Sequence, residues 1–198
     1  MENVRKLRSE STREETKELA NYPTLFGEIR QPESEYIYIP LTSSENRTYI
    51  PMSFFDKEKI SNNTGSLVPN ATLYHFGILQ SIQHMTWVSY VCGRLKSDYR
   101  YSNTLVYNNF PWPENITDEQ KKKVEECAQN VLNVRAQFPQ SSLADLYDPN
   151  TMPPELVKAH ADLDRATDNC YNRKFETKEQ RIEFLFELYK KYVSEKEK

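Results

Sequence analysis

Glycine is nearly missing from this 198-residue chain, which holds only four. That scarcity excludes a glycine-rich loop of the kind that cradles a nucleotide phosphate at a helix N-terminus. Cysteine is scarce too, with Cys92, Cys127 and Cys170 the three present. Their spacing fits no zinc or CxxC pattern, and an odd number argues against a disulfide framework. Reduced thiols in a cytoplasmic setting are the plain expectation. There is no excess of basic charge: 26 Lys and Arg stand against 29 Asp and Glu, for a net −3. A free-standing nucleic-acid binder tends to be basic. The balance counts against such a role for these residues alone, and less against a piece whose phosphate clamps lie on a neighbouring domain. Residues 61–93 contain no Asp, Glu, Lys or Arg, yet they are too rich in Asn, Gln, Ser and His for a membrane span. Asn46, Asn62, Asn70 and Asn115 each open an N-x-S/T triplet. With no signal peptide in view, these are chance matches.

Aromatic residues are plentiful, with 13 Tyr and 9 Phe. Each ring buries a large area, so a sizeable core is possible although hydrophobic residues make up only 37% of the chain. The length allows one large or two small domains. Residues 3–19 are charged helix formers and predict an exposed helix ending before Tyr22-Pro23. Glu35–Pro40 and Arg47–Phe55 predict two strands joined by a polar turn over Leu41–Asn46. Ser61–Gly65 reads as a polar loop. From Leu73 to Val91, Phe76, Leu79, Ile82, Met85, Val88 and Val91 recur at helical spacing, and Gly93 is a natural stop. Tyr99–Tyr107 reads as a strand, and Phe110-Pro111-Trp112-Pro113 as a domain end.

Beyond Pro113 the composition shifts. Thr117 with Gln120 is a capping-box start, and Val124, Ala128, Val131 and Val134 mark one apolar face. Ser142–Pro149 reads as a turn-rich connector. Pro153-Pro154 opens a helix striped by Leu156, Ala159, Leu163, Ala166 and Cys170. Thr177 with Gln180 caps another, with Ile182, Leu185, Leu188 and Tyr192 inside. The expected class is α+β: a small mixed sheet with packed helices over 1–113, then a helical bundle over 114–198, with few sheet contacts between the two and Trp112 packed at the junction.

The stretch Gly93–Pro113 carries the functional signal. Arg94, Lys96, Asp98 and Arg100 alternate on an extended pattern, which presents donors and an acceptor on one side. Lysine can donate to guanine O6 or N7, and aspartate can accept from cytosine N4. On the residues alone, a surface ion pair or a solvated helix flank is the plainer reading. Tyr99 and Tyr101 suit a strand core as well as base stacking. Ser44 and Arg47, in the polar stretch 43–47, suit a contact loop or a plain turn.

This run, GRLKSDYRYSNTLVYNNFPWP, resembles the target-recognition region of single-chain restriction-modification enzymes of the MmeI type. NYPTLFGEIRQPESEYIYIP, NRTYIP, NATLYHFGILQSIQHMTWV and SSLADLYDPNTMPPELVKAHADLDRATDNCY are similar to the same family, in the same order. Members of that family are large S-adenosylmethionine-dependent adenine-N6 DNA methyltransferases, many with a fused nuclease. The resemblance implies a C-terminal third or less of such an enzyme. It also implies double-stranded DNA as partner, a methyltransferase domain preceding these residues, and DNA contacts from Lys96, Asp98, Arg94, Arg100, Tyr101, Arg47 and Ser44.

The family's catalytic Asn-Pro-Pro-Tyr motif is missing; Asp148–Pro154 is only a superficial likeness. No nuclease carboxylate-lysine pattern appears either. No catalytic, metal or cofactor residue is therefore expected here, and S-adenosylmethionine belongs to the parent enzyme. Two other classes stay open. One is a helical protein-interaction module that does not bind DNA. The other is a small enzyme using His75, His84 and Asp98, which requires the three to converge.

Overall fold

The computed structural model describes residues 1–196. It divides into two compact units, Met1–Gln31 and Pro32–Lys198. In the first, helices α1 (Glu2–Ser9) and α2 (Glu14–Glu18) stand where one helix was expected. The break has a local cause: the Ser11 hydroxyl accepts the Arg13 N–H at 3.2 Å, offering the backbone an alternative to the helix. Arg8 gathers the chain after α2. Its guanidinium donates to the carbonyls of Leu19 (3.0 Å), Tyr22 (2.8 Å) and Leu25 (2.6 Å).

The second unit is α+β. Strand β1 (Tyr36–Pro40) is the centre of an antiparallel sheet, flanked by β3 (Ser53–Phe55) and β4 (Gly65–Pro69). Strand β2 (Thr42–Ser43) belongs to a second antiparallel sheet, with β5 (Gly93–Leu95) and β6 (Asp98–Arg100). The strands thus form two small antiparallel sheets where one mixed sheet was expected. Only the last three residues of the stretch 47–55 pair as a strand. Pro51 has no N–H to donate to a ladder, and the buried residues before it are held by side chains instead. Strand β4 leaves little trace in the sequence because its apolar residues, Leu67 and Val68, are only two.

The expected helix over 73–91 is two helices, α3 (Leu73–Leu79) and α4 (Ile82–Val91). Ser81 restarts the helix as an N-cap, its hydroxyl accepting the His84 N–H. The expected strand 99–107 also stops early. After β6, Ser102 caps a single π-helical turn over Asn103–Tyr107. Trp87 locks that turn by donating from Nε1 to the Val106 carbonyl at 3.1 Å.

Helices α5 (Asp118–Arg135), α7 (Pro154–Cys170) and α8 (Lys178–Lys196) stand where they were expected, and the Thr117–Gln120 capping box is present. A short α6 (Leu143–Leu146) sits in the connector. No backbone pairing joins residues 114–196 to the sheets. Side-chain packing, however, runs straight across Pro113. Gly77 of α3 lies against Val124 of α5, and Trp87 of α4 lies 5.3 Å and 5.6 Å from Phe186 and Tyr189 of α8. One core cluster holds Ile37, Phe76, Trp87, Val131 and Leu163 together. The reason is compositional: α3 and α4 are buried on several faces, and two three-stranded sheets cannot cover them.

Candidate nucleic-acid interface

Strands β5 and β6 pair Gly93 with Arg100, Arg94 with Tyr99 and Leu95 with Asp98. Only Lys96 and Ser97 remain for the turn. Lys96 has a φ of 58°, a left-handed backbone that a side chain rarely adopts. Lys96 and Asp98 therefore do not share one face of an extended segment, because the chain reverses between them. Lys96 is the exposed tip of the hairpin, and Asp98 is the first residue after it.

Alternation sorts the rest of β6. Asp98 and Arg100 are on one side, and Arg100 is exposed. Tyr99 and Tyr101 turn inward, 8% and 2% exposed. The Tyr101 hydroxyl lies 3.1 Å from Nε2 of His84, and its backbone N–H donates to the Leu41 carbonyl at 2.8 Å. Tyr101 is thus a core residue, and its ring is not offered to a base. Arg94 is engaged within the chain. Its guanidinium stacks 4.3 Å from the Tyr99 ring centroid and donates to the carbonyls of Ser97 (2.9 Å) and Ser89 (3.2 Å).

The polar loop 44–48 lies beside this hairpin. The Glu45 N–H donates to Asp98 Oδ1 at 3.3 Å, and the Glu45 carboxylate is 4.0 Å from Arg94. Within the loop, Ser44 accepts at its hydroxyl from the Asn46 N–H (3.3 Å) and at its carbonyl from the Arg47 N–H (3.2 Å). Arg47 reaches the Ala144 carbonyl at 3.4 Å, while its Nε–H is enclosed without a partner. Behind the loop is an open cleft of about 250 Å³ lined by Arg47, Thr86, Tyr99 and Lys178. The hairpin and loop thus bring Lys96, Asp98, Arg94, Arg100, Ser44 and Arg47 into one neighbourhood. Lys178 carries no signal of its own in the sequence, where it is one lysine among many on a charged helix start.

Beneath the loop is a buried polar network. The Tyr49 hydroxyl donates to Asp164 Oδ2 at 2.6 Å, and Asp164 Oδ1 accepts the Ile82 N–H at 2.7 Å, at the start of α4. Burial raises the Asp164 carboxyl to about 6, with the neighbouring Asp168 adding to the shift. Tyr49 stacks on His160 at 4.0 Å, and His160 Nε2 lies 2.7 Å from the Tyr147 hydroxyl. Arg135, 8% exposed, donates to Tyr147 (2.8 Å from Nε), to the Met52 carbonyl (2.7 Å) and to the Gln80 side-chain oxygen. Burial, reinforced by Arg135, holds His160 at about 3. Burial also holds His84 at about 4.

The three residues of the small-enzyme alternative have separate roles. His75 caps α3 with Thr72, His84 is fully buried, and Asp98 holds the loop. Among the described residues, no group of three or more His, Cys, Asp or Glu is placed to hold a metal ion. The four glycines are scattered at Gly27, Gly65, Gly77 and Gly93, and none begins a glycine-rich turn.

The described residues thus form a small α+β platform that exposes a charged hairpin and continues into packed helices. Sequence profiles of the MmeI target recognition domain and the MmeI C-terminal domain match residues 1–114 and 116–196. The chain belongs to the MmeI family, over its target recognition and C-terminal domains. DNA methyltransferase A of Bacillus subtilis (strain 168) is 43% identical over 183 residues, covering 92% of this chain and 21% of that protein. The solved structure of MmeI, a Type IIL restriction-modification enzyme in complex with DNA, superposes with a TM-score of 0.90 at 45% identity. That match covers 98% of this chain and 26% of the other. The chain therefore spans about a fifth to a quarter of the length of these relatives.

Proposed function

We propose that this chain reads a short double-stranded DNA sequence for a longer, site-specific adenine-N6 DNA methyltransferase of a restriction-modification system. Residues 1–113 serve as the target-recognition domain and 114–198 as the helical C-terminal domain. Catalysis and S-adenosylmethionine belong to a methyltransferase domain elsewhere in the same polypeptide, acting in the cytoplasm. The observation that carries this reading is the joined edge of hairpin and loop. Segments far apart in sequence are tied together by Glu45 and Asp98, so that Lys96 and Arg100 stand exposed beside Ser44 and Arg47. Such an edge fits a major groove, where lysine and arginine donate to guanine and a carboxylate accepts from cytosine. Contacts to phosphates fix the register, and contacts to base edges carry the sequence information. Held in this way, the DNA can present an adenine to the catalytic domain by flipping it from the stack.

The negative net charge favours one competing reading, a protein-interaction module. Mapping methylated adenines by sequencing in cells that express the full-length enzyme separates the two. A defined motif that changes with hairpin substitutions supports DNA reading. Hairpin variants that leave the motif intact, together with DNA binding that does not respond to salt, support the interaction module.

A further inference from the structure

Residues 49–52 run through the core without strand pairing: β2 ends at Ser43 and β3 begins at Ser53. Tyr49, Ile50 and Met52 are 7%, 0% and 0% exposed. A buried backbone outside a ladder must find its hydrogen bonds elsewhere. Here it finds them on helices. The Ile50 carbonyl accepts from the Gln80 side-chain amide at the α3–α4 break. The Met52 carbonyl accepts from Arg135 of α5 at 2.7 Å. The Tyr49 side chain adds a further tie, its hydroxyl donating to Asp164 of α7 at 2.6 Å. Asp164 uses its other oxygen on the Ile82 N–H, so one carboxylate fixes both the base of the loop and the start of the helix behind it. The Arg135 hydrogen bonds end on a carbonyl, an amide oxygen and a phenol. A buried cation without an opposite charge is expensive, and the core holds it in place by satisfying its donors.

We infer that Asp164 and Arg135, in the helical C-terminal half, are positioning residues for DNA recognition. They act through Tyr49 and Met52 to set where loop 44–48 stands against the hairpin. The inference rests on the DNA-reading role proposed above. It gives the C-terminal helices a part in specificity: the loop is anchored to the hairpin at Glu45 and to these helices at Tyr49 and Met52. Loss of the second anchor leaves the first intact and lets the loop swing about it.

Two measurements test this. The first is hydrogen exchange on the 198-residue chain, comparing the unaltered protein with Tyr49→Phe and Asp164→Asn. Tyr49→Phe keeps the ring on His160 and removes only the donor. Asp164→Asn keeps the acceptor for Ile82 and can still donate to the Tyr49 oxygen. Tyr49→Phe is expected to speed exchange of the 45–49 amides at least tenfold, with β1 and α7 unchanged and Asp164→Asn close to the unaltered protein. Equal exchange in Tyr49→Phe and the unaltered chain overturns the inference. The second is methylated-site sequencing in the full-length enzyme, well below each variant's melting temperature. Tyr49→Phe should relax discrimination at one or two target positions by about tenfold and leave non-specific affinity and its salt dependence unaltered, with Asp164→Asn keeping most of the discrimination of the unaltered enzyme. A lowered melting temperature with discrimination kept within about twofold shows a merely structural role and overturns the inference. If the unaltered enzyme has no sequence preference, the DNA-reading proposal falls, and the exchange result alone decides the loop anchor.

Discussion

The backbone N–H of Glu45 donates to Oδ1 of Asp98 at 3.3 Å, joining a loop and a hairpin that are 53 residues apart in sequence. Asp98 therefore has two roles, as a loop anchor and as a candidate base contact through its other oxygen. Lys96 has only the second, at the exposed turn. This asymmetry shapes what substitutions should do. Lys96→Ala removes one contact and should cost about 1–3 kcal/mol of discrimination at a single target position. Asp98→Ala also frees the loop and should blur more than one position. The double change Lys96→Glu with Asp98→Arg reverses donor and acceptor and also removes the acceptor for Glu45, so it should alter the preferred pair at one position and blur others as Asp98→Ala does. Sequencing of methylated sites reads all three, and an unaltered motif at full activity would mark both as ordinary surface charges.

Arg94 and Arg100 pair with Tyr99 and Gly93 on adjacent strands but have different duties. Arg94 is bound to Ser89, Ser97 and the Tyr99 ring, whereas Arg100 is exposed. Arg100→Ala should weaken binding to all DNA sequences alike and lower the slope of log affinity against log salt by about 1. Arg94→Ala should leave that slope nearly unchanged and cost roughly 1 kcal/mol of stability, through lost stacking and hairpin hydrogen bonds. Salt-titrated binding together with thermal unfolding distinguishes them.

Gly77 is the contact point of α3 with α5. A Cβ placed there would lie 2.5 Å from Val124 Cγ1 and 3.3 Å from Ala128 Cβ and Leu163 Cδ1. In an isolated helix Gly→Ala gains about 1 kcal/mol. Overpacking a filled core costs about 1–3 kcal/mol, so Gly77→Ala should destabilise on balance. Adding Val124→Ala removes the closest clash and should recover part of the loss. Urea unfolding of the single and double variants measures both, and a stabilised Gly77→Ala would contradict the packing.

Periodicity and capping signals locate the C-terminal helices, because Thr117–Gln120 and Pro154 announce their starts and apolar stripes announce their faces. They also mark residues 94–100 as extended, but do not reveal that the chain reverses at Lys96-Ser97 to form a hairpin. Nothing in Lys96-Ser97 resembles the Asn-Gly or Gly-containing pair that usually reverses a chain in two residues, so the segment reads as one strand. The single helix over 73–91 fails at Gln80-Ser81 because the break serves long-range partners, Ile50 and Arg135, that no local window contains. The network around Asp164 is invisible for the same reason: its members come from five separate segments, around residues 49–52, 80–82, 135, 147 and 160–164. The same partnering puts Tyr101 in the core, where His84 awaits it. The boundary near Pro113 is plain as a change in composition, but packing continues across it because the helices on either side need each other's apolar faces.

Acid should unfold the protein through its buried histidines, with Asp164 opposing them. His84 and His160 are held at about 4 and about 3 in the fold, against an ordinary 6.5. Folded pKa values below the unfolded ones give stability that is complete above pH 6.5 and is lost as pH falls towards 4. Asp164 stands at about 6 against an ordinary 3.8. A raised folded value gives stability that is complete below 3.8 and is lost as pH rises through 6. Between pH 6 and 4.5 the unfolded chain thus takes up about two protons on the histidines and releases about one from Asp164. The net uptake is roughly one proton, a slope of about 1.4 kcal/mol per pH unit. Asp164→Asn removes the opposing group, so its stability should fall about twice as steeply over the same interval. Urea unfolding free energies at pH 7.5, 6.0, 5.25 and 4.5 for both proteins measure the two slopes. Equal slopes would mean that Asp164 is ionised as readily in the fold as in the unfolded chain, which its burial against Tyr49 and Ile82 argues against.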